Sequence, residues 1–271
     1  MKRISLRHVV IACIAIACAV YLPKVLWPGS RFYAEVLSPK RLQLFGFIAK
    51  IACLGASAIF SMRSALQFGK RDAARWPWML LGSAFALWTV GCVILMFYAF
   101  AWGRRAPLPS FADLPFLFGY VPLFLGLMRF ISVYRGSGLP VGSARQHLRI
   151  AVIAMAAMAL LAYVLLAPVA RAKLSWPELF VDLAYPALDF GALVPTIVMI
   201  RIALAFRPGS VWGVWAALLL GFLFMTIADS VTAYLGPSEA ATSDPLLHLT
   251  YLLAYFFVAC GARLQYELLT K

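Results

Sequence analysis

The chain has 271 residues, 64% of them hydrophobic and 13% charged, with a mean hydropathy of +0.89 and a formal net charge of +14. A soluble domain is about half apolar and about a quarter charged, so this balance excludes one and points to a polytopic membrane protein. All five cysteines (Cys13, Cys18, Cys53, Cys92, Cys260) fall in apolar stretches, which excludes a secreted disulfide framework.

Apolar runs near the ~20 residues that cross a bilayer occur at 8–27, 42–63, 76–100, 114–134, 148–167, 179–201, 211–234 and 246–264. They predict an all-α membrane protein of eight transmembrane helices in a single integral domain. Sustained period-2 alternation is absent, so strands are not expected. Span one follows a charged start, MKRISLRHVV, in the manner of a signal peptide, and is kept here as a span. In span two, Gln43, Lys50 and Ser57 share a stripe. Span four opens on SFADLPFLFGY, with Asp113 and Tyr120 seven residues apart. Ser110 and Asp113 also form S-x-x-D, a capping-box arrangement.

Span six carries the densest polar set. Asp182, Tyr185 and Asp189 follow i, i+3, i+7 on one helical face, and Pro186 and Pro195 interrupt the same helix. A carboxylate inside a span is costly and implies a partner or a role. Span seven contributes Thr226 and Asp229. Span eight sets Asp244, His248, Tyr251 and Tyr255 at i, i+4, i+7 and i+11, and Asp244 before Pro245 also reads as an N-cap. His248 has no second histidine or cysteine at metal-ligand spacing, so no metal and no cofactor is expected. The tyrosines also suit an interfacial belt.

The two halves of the chain, roughly 1–140 and 141–271, resemble each other. RSALQF (63–68) matches RIALAF (201–206), and the seven-residue Asp-to-Tyr spacing recurs as Asp244 to Tyr251. The matching segments begin four spans apart, which predicts a 4+4 parallel repeat. The offset of 138 between Arg63 and Arg201 places Lys50 level with Asp189, predicting that the two meet near a central axis.

Counting charge by side orients the chain. With the N-terminus inside, that face gathers fifteen lysines and arginines against Asp72 and Glu267, whereas the other face is nearly balanced. The positive-inside rule then places both termini in the cytoplasm of a cell with an inner (plasma) membrane. Topology and anionic lipid account for the net charge. No basic stripe with interleaved aromatics calls for nucleic acid.

In order, WMLLGSAFALWTVG (78–91), PSFADLPFLFGYVPLFLGL (109–127), LAYPALDFGALV (183–194), LLLGFLFMTIADSVTAYL (218–235) and SDPLLHLTYLLAYFFVACGA (243–262) form a set. This set resembles the multispan membrane sensory module at the N-terminus of many bacterial diguanylate cyclases and phosphodiesterases. The resemblance covers roughly 76–264 and implies that Asp113, Gly119, Tyr120, Tyr185, Pro186, Asp189, Asp229, Asp244 and Tyr251 occupy recurring positions. It also implies signalling through the last helix. The third-span acidic position of that pattern is missing here, with Cys92 following Gly91, and no GGDEF or EAL signature stands in the sequence, so cyclic-dinucleotide chemistry does not carry over.

The expected function is a non-enzymatic sensor or receptor. A small ligand would enter an outward-facing polar pocket built from Lys50, Asp113, Tyr120, Asp182, Tyr185, Asp189, Asp229, Asp244, His248 and Tyr251. Span eight would then signal to a cytoplasmic or membrane partner. The alternative is a small secondary transporter with a midplane Lys50–Asp189 site. No G-x-S-x-G, H-E-x-x-H or phosphate loop supports an enzyme.

Overall fold

The computed structural model describes residues 6–27, 29, 38–103, 106–136, 175–204, 211–235 and 244–270, together with scattered positions between 143 and 164. Among them run seven helices: α1 (Leu6–Leu26), α2 (Pro39–Gln67), α3 (Arg75–Phe100), α4 (Asp113–Gly136), α5 (Trp176–Leu204), α6 (Val211–Leu235) and α7 (Pro245–Thr270). The described residues contain no strand. Six of the helices, α2 to α7, are long and apolar enough to cross a membrane, and α1 holds a shorter apolar stretch, Cys13–Leu26. The predicted span at 148–167 falls largely outside the described residues.

The helices overrun the predicted spans where polar residues cap or extend them. Ser175 donates its N–H and its hydroxyl to Glu178 Oε2, each at 2.7 Å, closing a capping box at the start of α5. At the other extreme α7 continues to Thr270, and Arg263 Nε meets Glu267 Oε1 at 3.0 Å one turn later. Such a pair adds a few tenths of a kcal/mol to a helix end.

The exposed sides of the helices carry large apolar side chains, as lipid requires. On α4 the exposed stripe is Leu114, Phe118, Val121, Leu125 and Met128, and the buried one includes Tyr120, Leu123, Leu127 and Phe130. Threonines satisfy their hydroxyls within their own helix: Thr89 on Phe85 O, Thr196 on Ala192 O and Thr226 on Phe222 O, at 2.7, 2.7 and 2.8 Å. A solvent that offers no hydrogen bonds makes that arrangement favourable.

Packing follows chain order around a closed ring. Helix α2 lies on α3, α3 on α4, α4 on α5, α5 on α6, α6 on α7, and α7 returns to α2, with α1 against α7. Two joints are parallel. At α4/α5, Asp113 meets Tyr185 and Tyr120 meets Asp189; at α2/α7, Lys50 meets His248 and Phe60 meets Tyr266. The α2/α3 joint is antiparallel, since Phe47 meets Phe100 and Met62 meets Gly82. So is α6/α7, where Thr232 meets Tyr251 and Leu218 meets Gly261.

Two storeys fill the ring. The storey nearest the N-termini of α2, α4, α5 and α7 is polar. The opposite storey is a plug centred on Trp78, Phe130 and Trp215, each at most 2% exposed. Their ring centroids lie 5.1 Å (Trp78–Phe130), 5.0 Å (Phe130–Trp215) and 6.4 Å (Trp78–Trp215) apart. Leu81, Leu127, Met199 and Leu218 are fully buried in the same apolar core.

Glycines set the closest approaches. A Cβ at Gly126 would stand 3.1 Å from Pro77 O and against the Leu81 side chain, and one at Gly221 would stand 2.6 Å from Val258 Cγ2 and 3.0 Å from Ala254 O. Backbone carbonyls cannot step aside as side chains do. We therefore expect Gly126→Leu and Gly221→Leu each to destabilise by ~2 kcal/mol or more, as overpacking does. Both should lower the unfolding temperature in detergent, whereas Gly55→Ala, with nothing within 4 Å, should not.

Candidate functional site

In the polar storey, tyrosines answer aspartates across the helix joints. The Tyr120 hydroxyl on α4 donates to Asp189 Oδ1 on α5, in a fully buried contact. Reciprocally, Tyr185 on α5 donates to Asp113 Oδ1 on α4 at 2.6 Å. Tyr251 on α7 donates to Asp229 Oδ1 on α6, and the Thr232 hydroxyl lies 3.0 Å from the same phenol oxygen. The Asp229 carboxyl on α6 faces Asp189 on α5. One polar chain therefore runs Tyr120–Asp189–Asp229–Tyr251–Thr232 through four helices.

The energetics explain why each acid meets a phenol. An aspartate at the centre of a spanning helix costs about 2.5–3.5 kcal/mol to insert. A hydrogen bond to a charged group returns about 1.5–3 kcal/mol, so one good donor offsets most of the cost. Asp113 has more than one donor, since Ser110 also gives its N–H and hydroxyl to Oδ2. That residue is a helix cap and a cross-helix acceptor at once.

Two carboxyl oxygens, Asp182 Oδ2 and Asp189 Oδ2, are buried and reached by no N–H or hydroxyl donor among the described residues. The group facing Asp189 from α6 is itself a carboxyl, and two such acids are satisfied by sharing one proton. Asp182 sits in the field of Glu178 and Asp113, both of its own sign. Neither has a basic partner among the described residues.

Lys50 is not that partner. Among the described residues no ion pair joins it to Asp189: its Nζ lies 3.3 Å from His248 Nδ1 and stands over the rings of Phe47 and Tyr251, 5.2 and 5.5 Å from their centroids. The reason lies in the ring. Helix α2 stands to α7 as α5 stands to α4, each across a parallel joint. Level residues of α2 and α5 therefore face different joints and do not converge. Lys50 is 8% exposed, and its polar neighbour is an imidazole.

Asp244 also stays outside the cluster. Its Oδ1 accepts the N–H groups of Leu246 and Leu247 at 2.8 and 3.4 Å, the N-cap role its place before Pro245 suggests. His248 meets Lys50 and Tyr21, whose ring is stacked on it at 6.3 Å.

Three participants escaped the sequence reading. Tyr21 is fully buried from a helix that reads as plain lipid-facing apolar residues. Trp88 donates Nε1 to Phe116 O at 3.0 Å and sets its ring edge-on to Tyr120, 5.2 Å away. Thr232 was within reach of helical phase, standing three residues after Asp229 on the same face.

Two surface grooves are lined mainly by apolar residues. One, of about 260 Å³, runs between α5 and α6 past Phe190, Leu193 and Leu223, and the other, of about 790 Å³, lies between α3 and α4 beside Trp76 and Arg129. No protein family, curated protein or solved structure matches the chain.

Removing the phenol hydroxyls separately tests this accounting. Tyr120→Phe strips Asp189 of its donor and should cost about 1–3 kcal/mol, the penalty for a buried group left unsatisfied. Tyr185→Phe should cost less, because Asp113 keeps Ser110. Thermal unfolding of both variants in one detergent gives the order, and equal losses would show that the Tyr120–Asp189 contact has no special weight.

Proposed function

We propose that the chain is a membrane sensor or receptor module, of the kind its motif order resembles, that takes a small ligand at the α4/α5 joint and signals through α7. The observation that carries this reading is the pair of buried carboxyl oxygens on α5, Asp182 Oδ2 and Asp189 Oδ2, that no N–H or hydroxyl donor reaches among the described residues. Such a site is poised for a ligand whose donors the protein itself lacks. Tyr251 connects it to α7, the helix that continues to Thr270. A ligand that parts or tightens the joint would shift the packing of the ring, provided it binds one arrangement better than the other.

The topology we propose is eight spans in a 4+4 parallel repeat, with both termini cytoplasmic in an inner membrane. The parallel α4/α5 joint supports it. A chain that leaves α4 at Gly136 must regain the opposite end by Trp176, and one more crossing does this. The two parallel joints and the equal 29-residue lengths of α2 and α5 also suit a repeat about an axis along the membrane normal. On this orientation the polar storey faces outward.

A small transporter is the second reading. Ser57, Ser61 and Ser64 are fully buried in the far half of α2, and the Ser61 and Ser64 hydroxyls have no partner. Against it stands the plug of Trp78, Phe130 and Trp215, which favours a site open to one side.

The test is a ligand screen by thermal unfolding on the detergent-purified protein, with Asp189→Asn in parallel. A stabilising ligand should raise the unfolding temperature of the wild type and lose most of that effect in the variant, since binding to the folded state adds RT ln(1 + [L]/Kd). Uptake of the same ligand into proteoliposomes would favour the transporter. Reporter fusions at both ends, read for a cytoplasmic signal, test the topology.

A further inference from the structure

Helices α3 and α4 run antiparallel and close together. A Cβ at Gly126 would stand 3.1 Å from Pro77 O and 3.3 Å from Leu80 Cβ, and farther along Trp88 Nε1 reaches Phe116 O. The groove of about 790 Å³ runs beside this close approach. Its walls are one face of each helix: Trp76 and Leu80 at i and i+4 on α3, and Leu125, Arg129 and Gly136 at i, i+4 and i+11 on α4. Trp76 is 62% exposed and Leu125 54%, so the groove opens away from the ring.

Polarity is graded along it. Leu80 and Leu125 make the deep end. Trp76 comes one residue after α3 begins and Arg129 seven before α4 stops, so both stand nearer the membrane surface. Arginine lays its stem on apolar surface and lifts its head to the headgroup level, where tryptophan also prefers to sit. Lys70, Arg71 and Arg75 crowd the same end. The acid between them, Asp72, is engaged in a turn, accepting Ala74 N–H at 2.8 Å. Among the described residues no carboxylate forms an ion pair with Arg129. The Ser132 hydroxyl is spent on Met128 O at 3.1 Å, which leaves Arg129 as the groove's cation. The smaller groove between α5 and α6 has no charged residue on its walls.

We propose that the α3/α4 groove binds one anionic phospholipid, with its phosphate on Arg129 and an acyl chain along Leu80 and Leu125. Charge at the helix ends and apolar surface deeper in is the order of a phospholipid from head to tail. The guanidinium fork matches two oxygens of a phosphate. A zwitterionic head would bring its own ammonium among Lys70, Arg71 and Arg75, so a head of net negative charge is preferred. One arginine in the groove sets one phosphate. The site lies at the end of the ring opposite the polar storey and stands independently of the sensor reading.

The experiment is native mass spectrometry of the detergent-purified protein, titrated at fixed ionic strength with dioleoyl phosphatidylglycerol, dioleoyl phosphatidylcholine and chain-free glycerophosphoglycerol. It reads the dissociation constant of the first bound molecule. We expect phosphatidylglycerol to bind at least about fivefold tighter than phosphatidylcholine, the weight of one basic residue near an anionic head. Arg129→Gln should remove that preference and Arg129→Lys should keep part of it. Arg63→Gln, at an exposed arginine on the same end of the ring but outside the groove, should keep it in full. Leu125→Trp, which fills the deep end, should weaken both lipids. Arg129 and Leu125 are exposed, so none of these changes touches the core.

Equal affinities for the two lipids in the wild type would overturn the proposal, as would an equal loss in Arg63→Gln, which would mean a diffuse surface charge. Chain-free glycerophosphoglycerol that binds as tightly as the whole lipid would make this a site for a soluble phosphate ester, and unchanged lipid binding in Leu125→Trp would take the acyl chain out of the groove. Either result sinks the phospholipid assignment.

Discussion

A carboxyl group inside an apolar ring of helices must find a donor on another helix, and the phenol–carboxyl bond is how this protein meets that demand. Three such bonds, from Tyr120, Tyr185 and Tyr251, each join two helices. They hold α4 to α5 and α6 to α7. In lipid, where helices gain little by hiding apolar surface from one another, close packing and such interhelical hydrogen bonds decide which faces meet. The rest of the ring is consistent with that constraint. Glycines at 126 and 221 let neighbouring backbones approach, and the threonines keep their hydroxyls to themselves.

The same demand divides the interior into storeys. Polar groups gather where the tyrosines are, and the far end closes with three large aromatic rings that ask for little. On the proposed sensor reading, the polar groups sit on one side and Trp78, Phe130 and Trp215 close the other. Among the described residues, buried oxygens without a hydrogen-bond partner stand at Asp182 and Asp189 on α5 and at Ser61 and Ser64 on α2. At the α2/α7 joint the chemistry is the reverse of that at α4/α5: Lys50 is met by His248 and by aromatic faces. One joint is acidic and the other basic.

Much of this was legible in the residues. Composition and the length of the apolar runs determined an all-helical membrane architecture, because a bilayer admits few other solutions for a chain this apolar. Helical phase on span six put Asp182, Tyr185 and Asp189 on one face, and all three do turn toward the ring. The S-x-x-D at Ser110 and the Asp–Pro at 244 announced their caps, because capping is decided within four residues of sequence. The tyrosines at 120 and 251 were singled out with their seven-residue spacing from an aspartate, but the aspartates they bond are not those.

That mismatch marks the limit. The partner of Tyr120 is Asp189 rather than Asp113, and the partner of Tyr251 is Asp229 rather than Asp244, because seven residues along a helix is about 10 Å and no side chain reaches back that far. Lys50 and Asp189, level by the repeat offset, separate for a related reason: depth is a property of one helix, whereas meeting depends on which helices are neighbours. The sequence by itself determined six long apolar helices, the shared face of Asp182, Tyr185 and Asp189, and the caps at Ser110 and Asp244. Only the tertiary structure decided the pairing, because the order of helices around the ring is settled by contacts between residues as far apart as Lys50 and His248.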